Sequence, residues 1–118
     1  MRIRRLFLRD FGLYRGEQVL DLSPKTREGP HRPVVLIGGH NGAGKTTILE
    51  ALRLSLYGRL ALGPRVREAD YHAYLRGQIH RNPSAVVQAA GASVAVEFDY
   101  ARNGERSTFV VERSWKAR

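Results

Sequence analysis

Hydrophobic and polar positions alternate at both ends of this chain and switch to helical spacing between them. Across residues 3–11, Leu6 and Leu8 fall on one side, and Phe7 on the other with Arg5 and Arg9. That period of two predicts a strand. Glu17-Gln18-Val19-Leu20-Asp21-Leu22 reads as a second strand, with Phe11-Gly12-Leu13-Tyr14-Arg15-Gly16 as the turn of a hairpin. Pro24, Pro30 and Pro33 make 23–33 an irregular loop. Val34-Val35-Leu36-Ile37 is a short unbroken apolar run, the pattern of a buried strand. From Thr46 the period lengthens. Ile48, Leu49, Leu52 and Leu56 predict a helix running to Tyr57, with Gly58 as the residue just past its end.

Residues 59–90 carry the weakest pattern. Tyr71, Leu75 and Ile79 are spaced to predict a short helix over 69–80, and 82–91 reads as a loop. His72 and His80 flank the helical stripe, and a lone histidine on a helix is most simply solvated. Alternation then returns. Val94, Val96, Phe98 and Tyr100 share one face, and Glu97 and Asp99 the other. Asn103-Gly104 predicts a tight hairpin turn. On the return strand Phe109, Val111 and Trp115 lie together.

Chemistry enters between the apolar run and the first helix. Gly39-His40-Asn41-Gly42-Ala43-Gly44-Lys45-Thr46 fits the Walker A pattern GxxxxGK[ST]. Glycines let the backbone curl so that successive N–H groups surround a phosphate chain. Lys45 is placed to reach the β- and γ-phosphates, and the Thr46 hydroxyl to ligate Mg²⁺. Strand, glycine loop and helix together aim a helix N-terminus at the phosphates. The expected ligands are therefore ATP and Mg²⁺. Lys45 is the candidate catalytic residue and Thr46 the candidate metal ligand.

Composition limits the remaining choices. At 118 residues the chain forms one domain at most. No apolar run approaches the roughly 18 residues that cross a bilayer. The absence of cysteine excludes disulfides and thiolate metal sites, and fits a cytoplasmic protein. Net charge is +9, the footprint of a protein that meets a polyanion such as DNA or RNA. Lys25, Lys45 and Lys116 are its only lysines, so arginine supplies nearly all of the excess.

Hydrolysis also needs a carboxylate to hold the metal through water and a group to position the attacking water. Phe109-Val110-Val111-Glu112 and the acids Glu97 and Asp99 imitate a Walker B strand, but alternation makes them more simply a solvated face. The chain is expected to be truncated before its catalytic acid. It reads as half of an ATPase site.

Hairpins on both flanks of a P-loop unit, with Leu8-Arg9-Asp10-Phe11 at the opening and Asn41-Gly42-Ala43-Gly44-Lys45-Thr46-Thr47 at the loop, resemble the N-terminal lobe of SMC-like ATPases. That class includes chromosome-structural, RecF-like and DNA-repair ATPases. The segments 11–16, 36–39, 49–54, Leu56-Tyr57-Gly58 and Ile79-His80-Arg81 narrow the resemblance to the DndD family of DNA sulfur modification ATPases. It implies an α/β P-loop NTPase fold, with residues 1–118 as the N-terminal lobe of an ABC-ATPase head and antiparallel β hairpins flanking the P-loop strand and helix. Nucleotide-binding residues carried over are Gly39, His40, Asn41, Gly42, Ala43, Gly44, Lys45, Thr46 and Thr47. Repair-type relatives place a basic residue directly after the phenylalanine of the first strand. This chain has Gly12 there, which makes Arg15 a substitute candidate for nucleotide contact.

The resemblance further implies ATP hydrolysis in the complete protein, coupled to DNA handling in phosphorothioate modification. Implied partners are DNA, a second head that sandwiches the nucleotide in a homodimer, and other DNA-modification proteins, with no membrane. Such families carry their glutamine loop, signature motif, Walker B and coiled coil farther along, and none is visible here. Alternative readings are a RecF-like or general DNA-repair ATPase, a P-loop small-molecule kinase, or a non-hydrolysing nucleic-acid-binding domain. A kinase would show a compact βαβ order and a lid.

Overall fold

The first strand is the spine of a four-stranded antiparallel sheet. This computed structural model describes residues 1–22 and 42–118, with backbone alone at Gly42 and Ala43. The loop expected at 23–33 and the strand expected at 34–37 lie outside those residues. Strands β1 (Arg2–Phe11), β2 (Tyr14–Asp21), β3 (Gly91–Arg102) and β4 (Glu105–Lys116) are arranged in the order β2-β1-β3-β4. Both hairpins form where alternation predicts them. What alternation does not contain is their junction. β1 pairs with β3 by setting Leu6 opposite Val96 and Leu8 opposite Val94.

That register collects one apolar face. Leu6, Leu8, Val94 and Val96 are buried, with Leu20, Phe98, Val111 and Trp115 partly buried around them. Helix α1 (Gly42–Tyr57) lies on this face through Ile48, Ala51 and Leu54. Each large apolar side chain so buried contributes about 1.5–3 kcal/mol. Inside α1, the buried Ser55 hydroxyl donates to the Ala51 carbonyl one turn back (2.8 Å). Gly58 has φ +58°, the left-handed value expected at a helix end. A Cβ there would stand 2.9 Å from Arg113 Cζ, and the Arg113 Nε donates to the Ser55 carbonyl (3.1 Å). The arginine of β4 thus closes off the end of α1. A 3₁₀ helix (Gly58–Leu62) and helix α2 (Glu68–Gly77) follow.

Several local expectations are corrected. α2 ends at Gly77, because the next residues leave the helix to bridge with Phe11. β2 begins at Tyr14, so the first turn is only Gly12 and Leu13 wide. The second turn is as predicted, with Asn103 at φ 53° and Gly104 at φ 80°. Tyr100, placed on the covered face by its period, is 48% exposed. β1 has no residue left to pair beyond Arg2 and Asp99, so the tip of the second ribbon extends past the sheet.

Asp99 is the clearest departure from the solvated-face reading. It is buried, accepts a hydrogen bond from the Thr108 hydroxyl (2.7 Å) and pairs with Arg4 Nη1 (3.3 Å). A register shift between Ile3 and Arg5 makes Arg4 an extra residue in β1. A bulge of this kind re-aims a side chain. Here Arg4 and Arg5 both serve the carboxylates of β3, with Arg5 gripping Glu97 through Nε (3.0 Å) and Nη2 (3.2 Å). Asp99 is held as an ion-pair partner within the sheet. Among the described residues no helix is long and apolar enough to cross a membrane.

Candidate nucleotide-binding site

The described part of the site is the first turn of α1 and the turn between β1 and β2 beneath it. Gly39, His40 and Asn41 lie outside the described residues, and Gly42 and Ala43 are seen as helical backbone. Gly44 and Lys45 are half-buried, Thr46 is exposed and Thr47 is buried. Helical rotation produces that split. It leaves Thr46 at the surface and turns the next residue, Thr47, toward the sheet.

Thr47 meets Gly12. A Cβ on Gly12 would stand 2.6 Å from Thr47 Cγ2, and Gly12 adopts φ +58°. Only a glycine fits both the left-handed backbone and the space. Two residues on, the Tyr14 hydroxyl lies 3.5 Å from the Gly44 carbonyl. So the β1–β2 turn and the first residue of β2 touch α1 directly after and before the Lys45-Thr46 pair.

The turn is itself fixed from several sides. Asp10 has φ +49°, and its Oδ1 accepts from the Gly16 N–H (2.8 Å). On the far side, Gly12 N–H donates to the Gln78 carbonyl (2.7 Å), and His80 N–H donates to the Asp10 carbonyl (2.7 Å). His80 Nδ1 lies 2.8 Å from the Gly12 carbonyl. A carbonyl only accepts, so Nδ1 carries the proton. His80 is thus half-buried and bound to the turn, against the expectation that it is solvated. His72 is exposed, with Nε2 3.5 Å from Glu68. Spacing gave no signal for His80, because its partner is 68 residues away in the chain.

Arg15 is exposed, and strand alternation sends it to the opposite face from Tyr14. Among the described residues no group of three His, Cys, Asp or Glu side chains could hold a metal ion.

The residues present fit a Mg²⁺–nucleotide. The first turn of α1 has no acidic residue, so no carboxylate of that turn opposes the positive end of the helix dipole or the Lys45 ammonium. Thr46 is exposed, and its hydroxyl would add one hard oxygen ligand.

Residues 5–118 match the AAA domain family, and the chain belongs to it. No curated protein and no solved structure matches the chain. The family is one of ATP-binding ATPases, which agrees with the P-loop motif and with an SMC- or RecF-like superfamily.

Proposed function

We propose that this chain is the nucleotide-binding N-terminal lobe of an SMC-like ATPase that handles DNA during phosphorothioate modification. The observation that carries the reading is the seating of α1 on the β1–β2 turn. The phrase 11–16, which narrows the sequence resemblance, contains the residues that touch Gly44 and Thr47.

Residues 39–47 would hold the phosphates, with Lys45 offsetting the charge of the β- and γ-oxygens and Thr46 as the Mg²⁺ ligand. A bound Mg²⁺ would supply positive charge to offset the charge of the phosphates. The chain's own residues orient the phosphates against the end of α1. A carboxylate and a signature motif, the latter from a second head, complete hydrolysis. ATP binding then engages two heads and hydrolysis releases them, which couples the cycle to DNA. The net charge of +9 favours DNA as that partner.

The test is genetic and chemical. In cells whose only copy encodes Lys45→Ala, phosphorothioate dinucleotides should disappear from digested DNA, as read by mass spectrometry. Modification at the wild-type level would remove the sulfur-modification role and favour a repair ATPase of the same class.

A further inference from the structure

The segment that follows α2 is tied to the candidate site by contacts that packing alone does not require. Gln78 to His80 run antiparallel to Asp10–Gly12 through a single bridge between Phe11 and Ile79. Two backbone hydrogen bonds of 2.7 Å complete it, from Gly12 to Gln78 and from His80 to Asp10. To this the His80 side chain adds a third bond, Nδ1–H to the Gly12 carbonyl at 2.8 Å. The Gly12 residue held in this way is the one whose α-carbon abuts Thr47.

Thr47 has little freedom to respond on its own. It is buried and β-branched, which leaves its χ1 two common rotamers in a helix, and its Cγ2 lies against Gly12. Any displacement of Gly12 is therefore passed to the first turn of α1, which carries the neighbouring Thr46.

We propose that His80 is a positioning residue for the Mg²⁺–nucleotide site, acting through Gly12 and Thr47 to set the orientation of Thr46. This rests on the nucleotide-binding reading above. His80 need not touch the nucleotide. It fixes the peptide on which the metal-binding turn leans, as outer partners of metal ligands commonly do. Removing such a partner typically lowers metal affinity by about 10- to 100-fold.

The experiment is a titration of a fluorescent ATP analogue against the chain, with Mg²⁺ and with EDTA. His80→Ala is expected to weaken Mg²⁺-dependent binding about tenfold while EDTA-resistant binding stays near wild type. His80→Asn, whose amide N–H stands where Nδ1–H does, is expected to restore most of it. A loss of thermal stability with an unaltered Mg²⁺ response would show a purely structural role and overturn the proposal. In the unmutated chain, Mg²⁺–ATP should shift the ¹⁵N resonances of the His80 imidazole, and no shift would equally overturn it. Lys45→Ala is run beside them. If it leaves binding intact, the nucleotide reading fails; if it abolishes binding while His80→Ala does nothing, only the His80 role fails.

Discussion

Gly12 and Thr47 meet so closely that no side chain fits between them: a Cβ on Gly12 would lie 2.6 Å from Thr47 Cγ2. The contact joins the sheet to the P-loop helix. Gly12→Ala adds both a clash and a left-handed alanine, so it should destabilise the fold by about 1–3 kcal/mol. Urea unfolding at neutral pH measures this. A loss near zero would mean that the turn can slide away from α1.

This contact also marks where the sequence stops being legible. Leu6, Leu8, Val94 and Val96 declare a covered strand face by their period, and Gly58 and Asn103-Gly104 declare a helix end and a turn. Each of those signals is local. The pairing of β1 with β3, the burial of Asp99 and the bond from His80 to Gly12 depend on residues about 70 to 95 positions apart, and no period or spacing encodes such a meeting. Asp99 misleads for a specific reason. Its alternation is right, but the bulged Arg4 covers its face with a guanidinium.

Phe11 and Trp115 pack edge to face, with ring centroids 6.0 Å apart, and Trp115 Nε1–H donates to the Leu75 carbonyl (2.6 Å). The pair ties both hairpins to the end of α2. Phe11→Ala should cost about 3–5 kcal/mol, as a fully buried aromatic does. Trp115→Phe keeps most of the ring packing and loses the donor, so about 1 kcal/mol is expected. Paired urea titrations give both values.

Asp99 predicts the acid limb of stability. The Thr108 hydrogen bond is the largest cause that holds its carboxyl below the ordinary 3.8; burial, next in size, opposes it, and the charge and hydrogen bond of Arg4 add to the lowering. A folded-state value below the unfolded one means that folding favours the ionised form. The contribution is therefore complete above the unfolded value and is lost as pH falls through the folded-state value, below about pH 4. Asp99→Asn should make the urea midpoint less sensitive to pH in that window. An unchanged acid limb would mean that Asp99 is not a source of it.

The charge of +9 predicts how the chain meets DNA. Affinity for duplex DNA should fall linearly on a log–log plot against salt, with about 0.9 added to the slope for each phosphate neutralised. Fluorescence anisotropy across a salt series gives the slope. A flat response would remove DNA contact as the role of the arginine excess.

The most direct test of the nucleotide site is equilibrium binding of Mg²⁺–ATP to the wild type, Lys45→Ala and Arg15→Ala. Lys45 sits in the first turn of α1, whereas Arg15 is exposed on the opposite face of β2 from Tyr14. Loss of one charge-assisted contact to phosphate is worth about 1.5–3 kcal/mol, or roughly 10- to 100-fold. That loss is predicted for Lys45→Ala, and little change for Arg15→Ala. Equal affinity in the wild type and Lys45→Ala would contradict the account at its centre.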